Sequence, residues 1–95
     1  MNEANGKTER VALITGAGSG LGKGAAEVLA ARDIRVGVLS RTATQVRSVA
    51  DEINAAGGEA MPLVADVSRY DEVAEAVKEL VGRWGRLDMV FAMRG

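Results

Sequence analysis

Residues 11–24 read VALITGAGSGLGKG, and this stretch decides how the rest of the chain is interpreted. Four apolar residues lead into Thr15, and five glycines follow within nine positions. A continuous apolar run bounded by glycine is typical of a strand that is buried on both faces of a sheet. The glycines therefore begin where a buried strand ends.

Beyond this stretch, helical and strand patterns alternate along the sequence. Some segments repeat their apolar residues at helical spacing, whereas others are short apolar runs or alternate between apolar and polar. The predicted elements are strand 11–15, helix 21–32, strand 34–40, helix 42–56, strand 60–66, helix 68–84 and strand 87–92.

Capping signals mark the ends of the second and third predicted helices. Thr42 with Gln45, and Ser68 with Asp71, have the spacing of a capping box, in which two side chains satisfy N–H groups of the first turn. Gly85 follows the third helix, and a left-handed glycine commonly ends a helix. These signals predict that the two helices open at Thr42 and Ser68.

The order β-α-β-α-β-α-β defines an α/β fold. Helical crossovers between apolar strands imply a parallel sheet with right-handed connections and helices on both faces, which makes three layers. The doubly wound nucleotide-binding arrangement places the third strand outermost, followed by the second, the first and the fourth. Pro62 agrees with this order, because proline cannot donate to a ladder and is tolerated at a sheet edge.

The glycine-rich segment after the first strand predicts an anion site. A helix N-terminus presents free N–H groups and the positive end of a dipole, and glycine lets a phosphate approach them. The G-x-G-x-x-G fingerprint is not met, because Leu21 fills its last position, and the pattern over residues 15–22 is T-G-x-x-x-G-x-G. The position between a buried strand and an amphipathic helix favours phosphate binding. The alternative is that the glycines only allow a tight turn and bind no phosphate.

Composition excludes several other classes of function. The 95 residues carry a net charge of −1 without a basic patch, which argues against nucleic acid or an anionic membrane as a partner. Cysteine and histidine are absent, so disulfides, thiolate chemistry and the commonest metal ligand are excluded, and no metal site is expected. Residues 1–10 are expected to be a flexible leader rather than a signal peptide, ahead of one domain at 11–95 in a cytoplasmic protein.

Three motifs together resemble the short-chain dehydrogenase/reductase family. TGAGSGLG at 15–22 is similar to the family's cofactor loop, ADV at 65–67 to the segment that holds the adenine ring, and GRLDMVFA at 85–92 to the approach to the fourth strand. The likeness runs from about residue 11 to residue 91. It implies a Rossmann fold, truncated after the fourth strand, that binds NAD(H) or NADP(H) and belongs to a carbonyl/alcohol oxidoreductase.

The resemblance also implies which residues bind the cofactor. Those lining the pyrophosphate and ribose would be Gly16, Ser19, Gly20, Leu21 and Gly22. Asp66 would accept a hydrogen bond from the adenine amino group, and the backbone of Val67 would meet the edge of the ring. The alternative for Asp66 is a loop residue near the cap of the third helix.

Ser40 and Arg41, at the end of the second strand, bear on the choice of cofactor. Dinucleotide folds that prefer NAD usually carry an acid there, which bonds the ribose 2′-hydroxyl. Ser40 stands in that position, so no carboxylate would repel a 2′-phosphate, and the guanidinium of Arg41 is well shaped to bind one. The sequence therefore favours NADP(H) over NAD(H), although Ser19 stands where NADP-preferring relatives often carry a second basic residue. The alternative is that Arg41 is a solvated charge.

The family's catalytic residues have no counterpart in this sequence. In relatives, the catalytic tyrosine is followed four positions later by a lysine, and a serine polarises the substrate oxygen. The single tyrosine, Tyr70, precedes the fourth strand, and position 74 is alanine. Met93 and Arg94 replace the Asn-Ala of the turn that follows this strand in relatives, which removes an asparagine that braces the sheet and the cofactor. No catalytic residue is therefore assigned.

Two functions remain open from the sequence. The first is the N-terminal cofactor-binding part of an NADP-dependent oxidoreductase, inactive alone, from a truncated, frame-shifted or incomplete coding sequence. The second is a free-standing nucleotide-binding or interaction module. In both cases the segment LDMVFA at 87–92 is expected to leave an exposed apolar strand edge through which chains associate.

Overall fold

Strands and helices alternate along residues 10–93, the part of the chain that the computed structural model describes. The elements are β1 (Val11–Thr15), α1 (Gly20–Ala31), β2 (Arg35–Ser40), α2 (Ala43–Ala55), β3 (Ala60–Val64), α3 (Tyr70–Trp84) and β4 (Met89–Ala92). All seven predicted elements are present in the predicted order. Residues 1–9 of the expected leader lie outside the described part, whereas the carbonyl of Arg10 accepts a hydrogen bond from the Arg35 N–H at 3.1 Å.

The four strands form one parallel sheet in the order β3-β2-β1-β4. Ile14 of β1 lies opposite Val38 of β2 and Phe91 of β4. β3, with Pro62 at its centre, pairs only with β2 within residues 10–93. The predicted strand order and the edge position of the proline are confirmed, and the arrangement is Rossmann-like.

The two faces of the sheet are covered by separate apolar cores. α1 and α2 pack on one face, and α3 packs on the other, which confirms the three layers. Buried residues of the first core include Ile14, Val36, Val38, Val46 and Ile53, and those of the second include Val11, Leu13, Leu39, Leu63 and Leu80. The central strands are buried on both faces, which explains why β1 is a continuous apolar run.

Gly37 in β2 lets α3 approach the sheet. A Cβ at this position would lie 2.5 Å from Leu80 Cδ1 and 3.1 Å from Leu63 Cδ1. Leu80 is fully buried and anchors α3 to the second core. The missing side chain on β2 therefore makes room for this anchor.

The start of α3 differs from the prediction. The helix begins at Tyr70 with Arg69 as its N-cap residue, so the capping box of Ser68 and Asp71 is wrong. Ser68 is instead bound to Asp66, whose Oδ1 accepts the serine N–H at 2.9 Å and the serine hydroxyl at 2.7 Å. An aspartate two residues upstream competes for the serine by forming a local turn.

The other helix ends lie closer to the prediction. Thr42 is the N-cap residue of α2, but its side chain makes no capping hydrogen bond, so the predicted box with Gln45 is not formed. The Thr42 N–H instead donates to Ser40 Oγ at 3.2 Å. Gly85 ends α3 in the left-handed conformation, with φ of 81°, as predicted.

β4 is attached to β1 by side chains as well as by the ladder. At its start, Asp88 Oδ2 accepts the Val11 N–H at 2.8 Å, and the Asp88 N–H donates to the Val11 carbonyl at 2.9 Å. At its end, Thr15 Oγ1 accepts the Met93 N–H at 3.0 Å. Met93 is therefore tied to β1 through its backbone. Residues 94 and 95 lie outside the described part.

Candidate functional site

The loops that follow β1, β2 and β3 leave the sheet at the same edge. Because the strands are parallel, their last residues are neighbours: Thr15 pairs with Leu39, and Ser40 pairs with Val64. β2 lies on one side of β1 and β4 lies on the other, so the direction of the strand order reverses at β1. In doubly wound folds, ligands bind outside the carboxyl ends of the strands at such a switch point. All of the predicted site residues lie at this edge.

The turn from β1 to α1 depends on glycine. Gly16 and Gly20 have φ of 61° and 63°, a left-handed conformation that glycine adopts without strain. A Cβ on Gly22 would clash with the carbonyl of Gly16 and would lie 3.0 Å from Ala17 Cα. The Ala17 N–H donates to the Leu39 carbonyl at 3.1 Å, which ties the turn to β2. The start of α1 therefore packs directly against the turn.

The first turn of α1 presents backbone donors that the described residues leave unused. Ser19 is the N-cap residue, its side chain makes no capping hydrogen bond, and no acidic residue lies in the first turn. The N–H groups of residues 20–22 have no partner within residues 10–93, and the Lys23 N–H reaches the Ser19 carbonyl only at 3.5 Å. A Cβ on Gly20 would meet nothing within 4 Å, so the space there is open. This cradle fits a phosphate group.

Ser40 and Arg41 lie at the end of β2, the strand next to the glycine turn. Ser40 Oγ accepts the Thr42 N–H at 3.2 Å, so this hydroxyl helps to shape the turn into α2. Arg41 is exposed, and its charge acts on Asp66 across the edge of the sheet. The positive side chain of Arg41 and the free N–H groups of α1 therefore lie at the same end of the sheet, where the strands have their carboxyl ends.

Asp66 follows β3, and its pKa is held below the usual value. Hydrogen bonds from the N–H and hydroxyl of Ser68 are the main cause, and the charges of Arg41 and Arg69 add to it. The Asp66 N–H donates to Glu72 Oε1 at 2.9 Å. Asp66 therefore organises the loop before α3, while its Oδ2 makes no hydrogen bond to any residue between 10 and 93.

Leu21 and Val67 are large apolar side chains that remain exposed at this edge. Their exposed fractions are 79% and 61%. Apolar side chains beside a row of free polar donors suit a ligand that has both ring faces and phosphates. The two residues follow β1 and β3, so they lie one on each side of Arg41 in the strand order.

Tyr70 has no lysine one helical turn further along α3. Its side chain is 86% exposed at the start of the helix, and Ala74 occupies the position four residues later. Among residues 10–93 no cluster of three or more acidic side chains is arranged to hold a metal ion. In the same range, no helix has the length and apolar character needed to cross a bilayer.

Gln45, in the first turn of α2, lies against the glycine turn, and the sequence interpretation missed this contact. Its side chain occupies the space into which a Cβ on Gly18 would point. Such a Cβ would overlap Gln45 Oε1 and would lie 3.2 Å from Cδ. No spacing signal relates these two positions, because they meet only once α2 has packed on β2 and β3, which places its first turn beside the turn that follows β1.

A separate cleft of about 340 Å³ lies at the opposite edge of the sheet, between the C-terminal ends of α1 and α2. It is lined by residues such as Glu27, Ala30, Glu52 and Gly58. None of the predicted site residues lines this cleft. The candidate site lies instead at the carboxyl ends of β1, β2 and β3.

A parallel sheet with a glycine turn at its switch point defines a class of dinucleotide-binding proteins. The sequence profile described as short chain dehydrogenase matches residues 10–95 of the chain. The chain therefore belongs to the short-chain dehydrogenase/reductase family, which confirms the resemblance found in its sequence.

Individual relatives agree with this assignment. The chain is 40% identical over 87 residues to an A-factor type gamma-butyrolactone 1′-reductase (1S-forming) of Streptomyces virginiae, covering 92% of this chain and 34% of the relative. It is 55% identical to a 3-ketoacyl-ACP reductase from Sinorhizobium meliloti 1021, with a TM-score of 0.83, covering 84% of this chain and 31% of that one. A metagenomic short-chain oxidoreductase in complex with NADP is 34% identical with a TM-score of 0.82, covering 88% and 38%. The chain thus spans about a third of the length of the curated relatives that it matches.

Proposed function

We propose that this chain is the cofactor-binding part of an NADP(H)-dependent short-chain dehydrogenase/reductase. The observation that carries the proposal is the turn from β1 to α1. Gly16 and Gly20 adopt left-handed backbone conformations, the N–H groups of residues 20–22 have no partner within residues 10–93, and the space beside Gly20 is open. These features fit the pyrophosphate of a dinucleotide.

The residues around this turn would hold the remaining parts of the cofactor. Gly16, Ser19 and Gly20 would lie along the pyrophosphate, with Gly22 keeping α1 close to the turn. Leu21 would cover an apolar face of the ligand. When it is bound, the nicotinamide supplies or accepts a hydride. The protein contributes the binding and orientation of that group.

The adenine end of the cofactor would lie near the end of β3. Asp66 Oδ2 would accept from the adenine amino group, while Oδ1 stays bound to Ser68. The hydrogen bonds from Ser68 keep the pKa of this carboxyl low, so it remains an acceptor at neutral pH. The exposed side chain of Val67 would pack on the ring edge beside its backbone.

Arg41 is proposed to select NADP(H) over NAD(H). It is exposed at the end of β2, where Ser40 replaces the acid that would repel a 2′-phosphate. The solved neighbour that contains NADP supports a nicotinamide dinucleotide as the ligand. A charge-assisted contact of this kind is worth about 1.5–3 kcal/mol.

Calorimetric titration tests the proposal with NADP and NAD on the wild type, Arg41→Ala and a charge-matched control. Arg47→Ala serves as the control, since Arg47 is exposed further along α2 and outside the proposed site. We expect Arg41→Ala to weaken NADP binding by about tenfold or more, with little effect on NAD. Equal NADP affinity in Arg41→Ala and the wild type would contradict the assignment.

The reaction of the complete enzyme is proposed from the family to be carbonyl reduction or alcohol oxidation. Within this chain, Tyr70 lacks the lysine that lowers the pKa of the family's catalytic tyrosine. We therefore propose that residues 1–95 bind the cofactor and do not catalyse the reaction alone.

A further inference from the structure

The contact between Gln45 and Gly18 joins two of the segments that follow the strands of the sheet. Gly18 belongs to the turn after β1, and Gln45 is the third residue of α2, four positions after Arg41. The side chain of Gln45 lies across the bare Cα of Gly18, in the space that a Cβ would fill. This side chain therefore lies between the turn that follows β1 and the start of α2.

The carboxamide of Gln45 is available to a ligand. The residue is exposed, and neither its Oε1 nor its Nε2 hydrogen bonds to any residue in the described range. A primary amide carries two donor hydrogens and one acceptor oxygen. Ser19, the N-cap residue of α1, carries no charge, and its side chain makes no capping hydrogen bond. The carboxamide is thus a donor placed where the turn itself offers no basic side chain.

We propose that Gln45 is a specificity-determining residue of the dinucleotide site, and that its carboxamide donates to the phosphate on the adenosine ribose of NADP(H) beside Arg41. The inference rests on the proposed function, because it needs a dinucleotide bound at the carboxyl ends of the strands. A neutral amide can serve a phosphate without a second cation, since hydrogen bonds to a charged acceptor are among the stronger ones.

Gly18 leaves the space that the side chain of Gln45 occupies. Its φ lies outside the left-handed region, so its backbone does not itself require glycine. A methyl group at this position would overlap Gln45 Oε1 and would lie 3.0 Å from Gln45 Cβ, so it would push the whole side chain, with its carboxamide, away from the turn. Gly18→Ala should therefore act on NADP binding through Gln45.

The test measures the dissociation constants of NADP and NAD by calorimetry for the wild type and five variants. Gln45→Leu keeps a side chain of similar size without hydrogen bonding, and Gln45→Glu is nearly isosteric but negatively charged. Gly18→Ala is measured alone and combined with Gln45→Leu. Thr44→Ala is the control, because Thr44 is exposed on the same helical turn and outside the contact.

We expect Gln45→Leu to weaken NADP binding about tenfold and NAD binding less than about twofold. Gln45→Glu should weaken NADP binding further because a carboxylate repels the phosphate. Gly18→Ala should lower NADP affinity in the wild-type background and should lower it less in Gln45→Leu, where the contact made by the carboxamide is already lost. Thr44→Ala should bind both dinucleotides as the wild type does.

Several results would overturn the inference. Unchanged NADP affinity in Gln45→Leu is one, and an equal loss for NADP and NAD is another, since that is the result of loosening the turn alone. Independent, additive effects of Gly18→Ala and Gln45→Leu would also refute it. If Arg41→Ala abolishes the NADP preference while Gln45→Leu retains it, only this inference fails. If the wild type binds neither dinucleotide, the proposed function fails with it.

Discussion

Asp88 and Val11 exchange two hydrogen bonds across the amino ends of β4 and β1. The carboxylate accepts the Val11 N–H at 2.8 Å, and the Asp88 N–H donates to the Val11 carbonyl at 2.9 Å. Arg86 holds the same carboxylate from the other side, with Nη2 2.8 Å from Oδ1. The hydrogen bond from Arg86, followed by that from Val11, keeps the pKa of Asp88 below its usual value. The charged form of this residue therefore favours the folded state.

Stability should fall in acid through Asp88. A carboxyl whose pKa is lower in the folded state stabilises the fold above its unfolded pKa, near 4, and loses this contribution as the pH falls through its folded pKa. We expect Asp88→Asn to lower Tm at neutral pH, with the difference from the wild type closing in acid below about pH 4. Asp51→Asn, at an exposed position of α2, is the control. A difference between Asp88→Asn and wild type that persists unchanged in acid would show that the charge is not responsible.

Gly22 and Gly24 should respond in opposite directions to alanine. A Cβ on Gly22 would clash with the Gly16 carbonyl, so Gly22→Ala should destabilise the chain by about 1–3 kcal/mol. A Cβ on Gly24 would meet nothing within 4 Å, so Gly24→Ala should stabilise α1 by about 0.5–1 kcal/mol. Urea titration measures both values. The close packing of α1 on the turn is refuted if the two substitutions change stability alike.

Chains should associate through the outer edge of β4. This strand pairs with β1 alone within residues 10–93, and Val90 is 58% exposed beside its ladder. A charge on an edge strand opposes pairing with another chain. Light scattering should therefore show association of the purified 95-residue chain that Val90→Lys reduces.

The control for the association experiment is Val28→Lys in α1, where Val28 is 56% exposed. It adds the same charge at a similar exposure on a helix, which takes no part in strand pairing. Equal association of the wild type and Val90→Lys would refute the role of this edge, as would a monodisperse wild-type monomer.

We expect residues 1–95 alone to have no enzymatic activity. A tyrosine acting as acid or base needs a neighbouring cation to lower its pKa from about 10. Tyr70 is 86% exposed, and Ala74 stands where the family's pattern needs lysine. We expect no NADPH oxidation above background with ketones, aldehydes or quinones. Turnover by the wild type that is lost in Tyr70→Phe would show that Tyr70 is catalytic.

The fold was largely predictable because its signals are local. Buried strands read as apolar runs, and Pro62 indicated the edge of the sheet correctly. The capping box of Ser68 and Asp71 was wrong because Asp66 binds the serine first, a competition that spacing alone does not reveal. For the site, the glycine turn and Arg41 stand out in sequence. The approach of Gln45 to Gly18 does not, since it depends on how α2 packs on β2 and β3, next to the turn that follows β1.

The hydroxyl of Thr15 receives the main-chain N–H of Met93, so its hold on the end of β4 is indifferent to the identity of the side chain there. The side chain at position 93 can therefore change during evolution without loss of this hydrogen bond. The residue at the end of β4 and the architecture of the sheet become separable at this position.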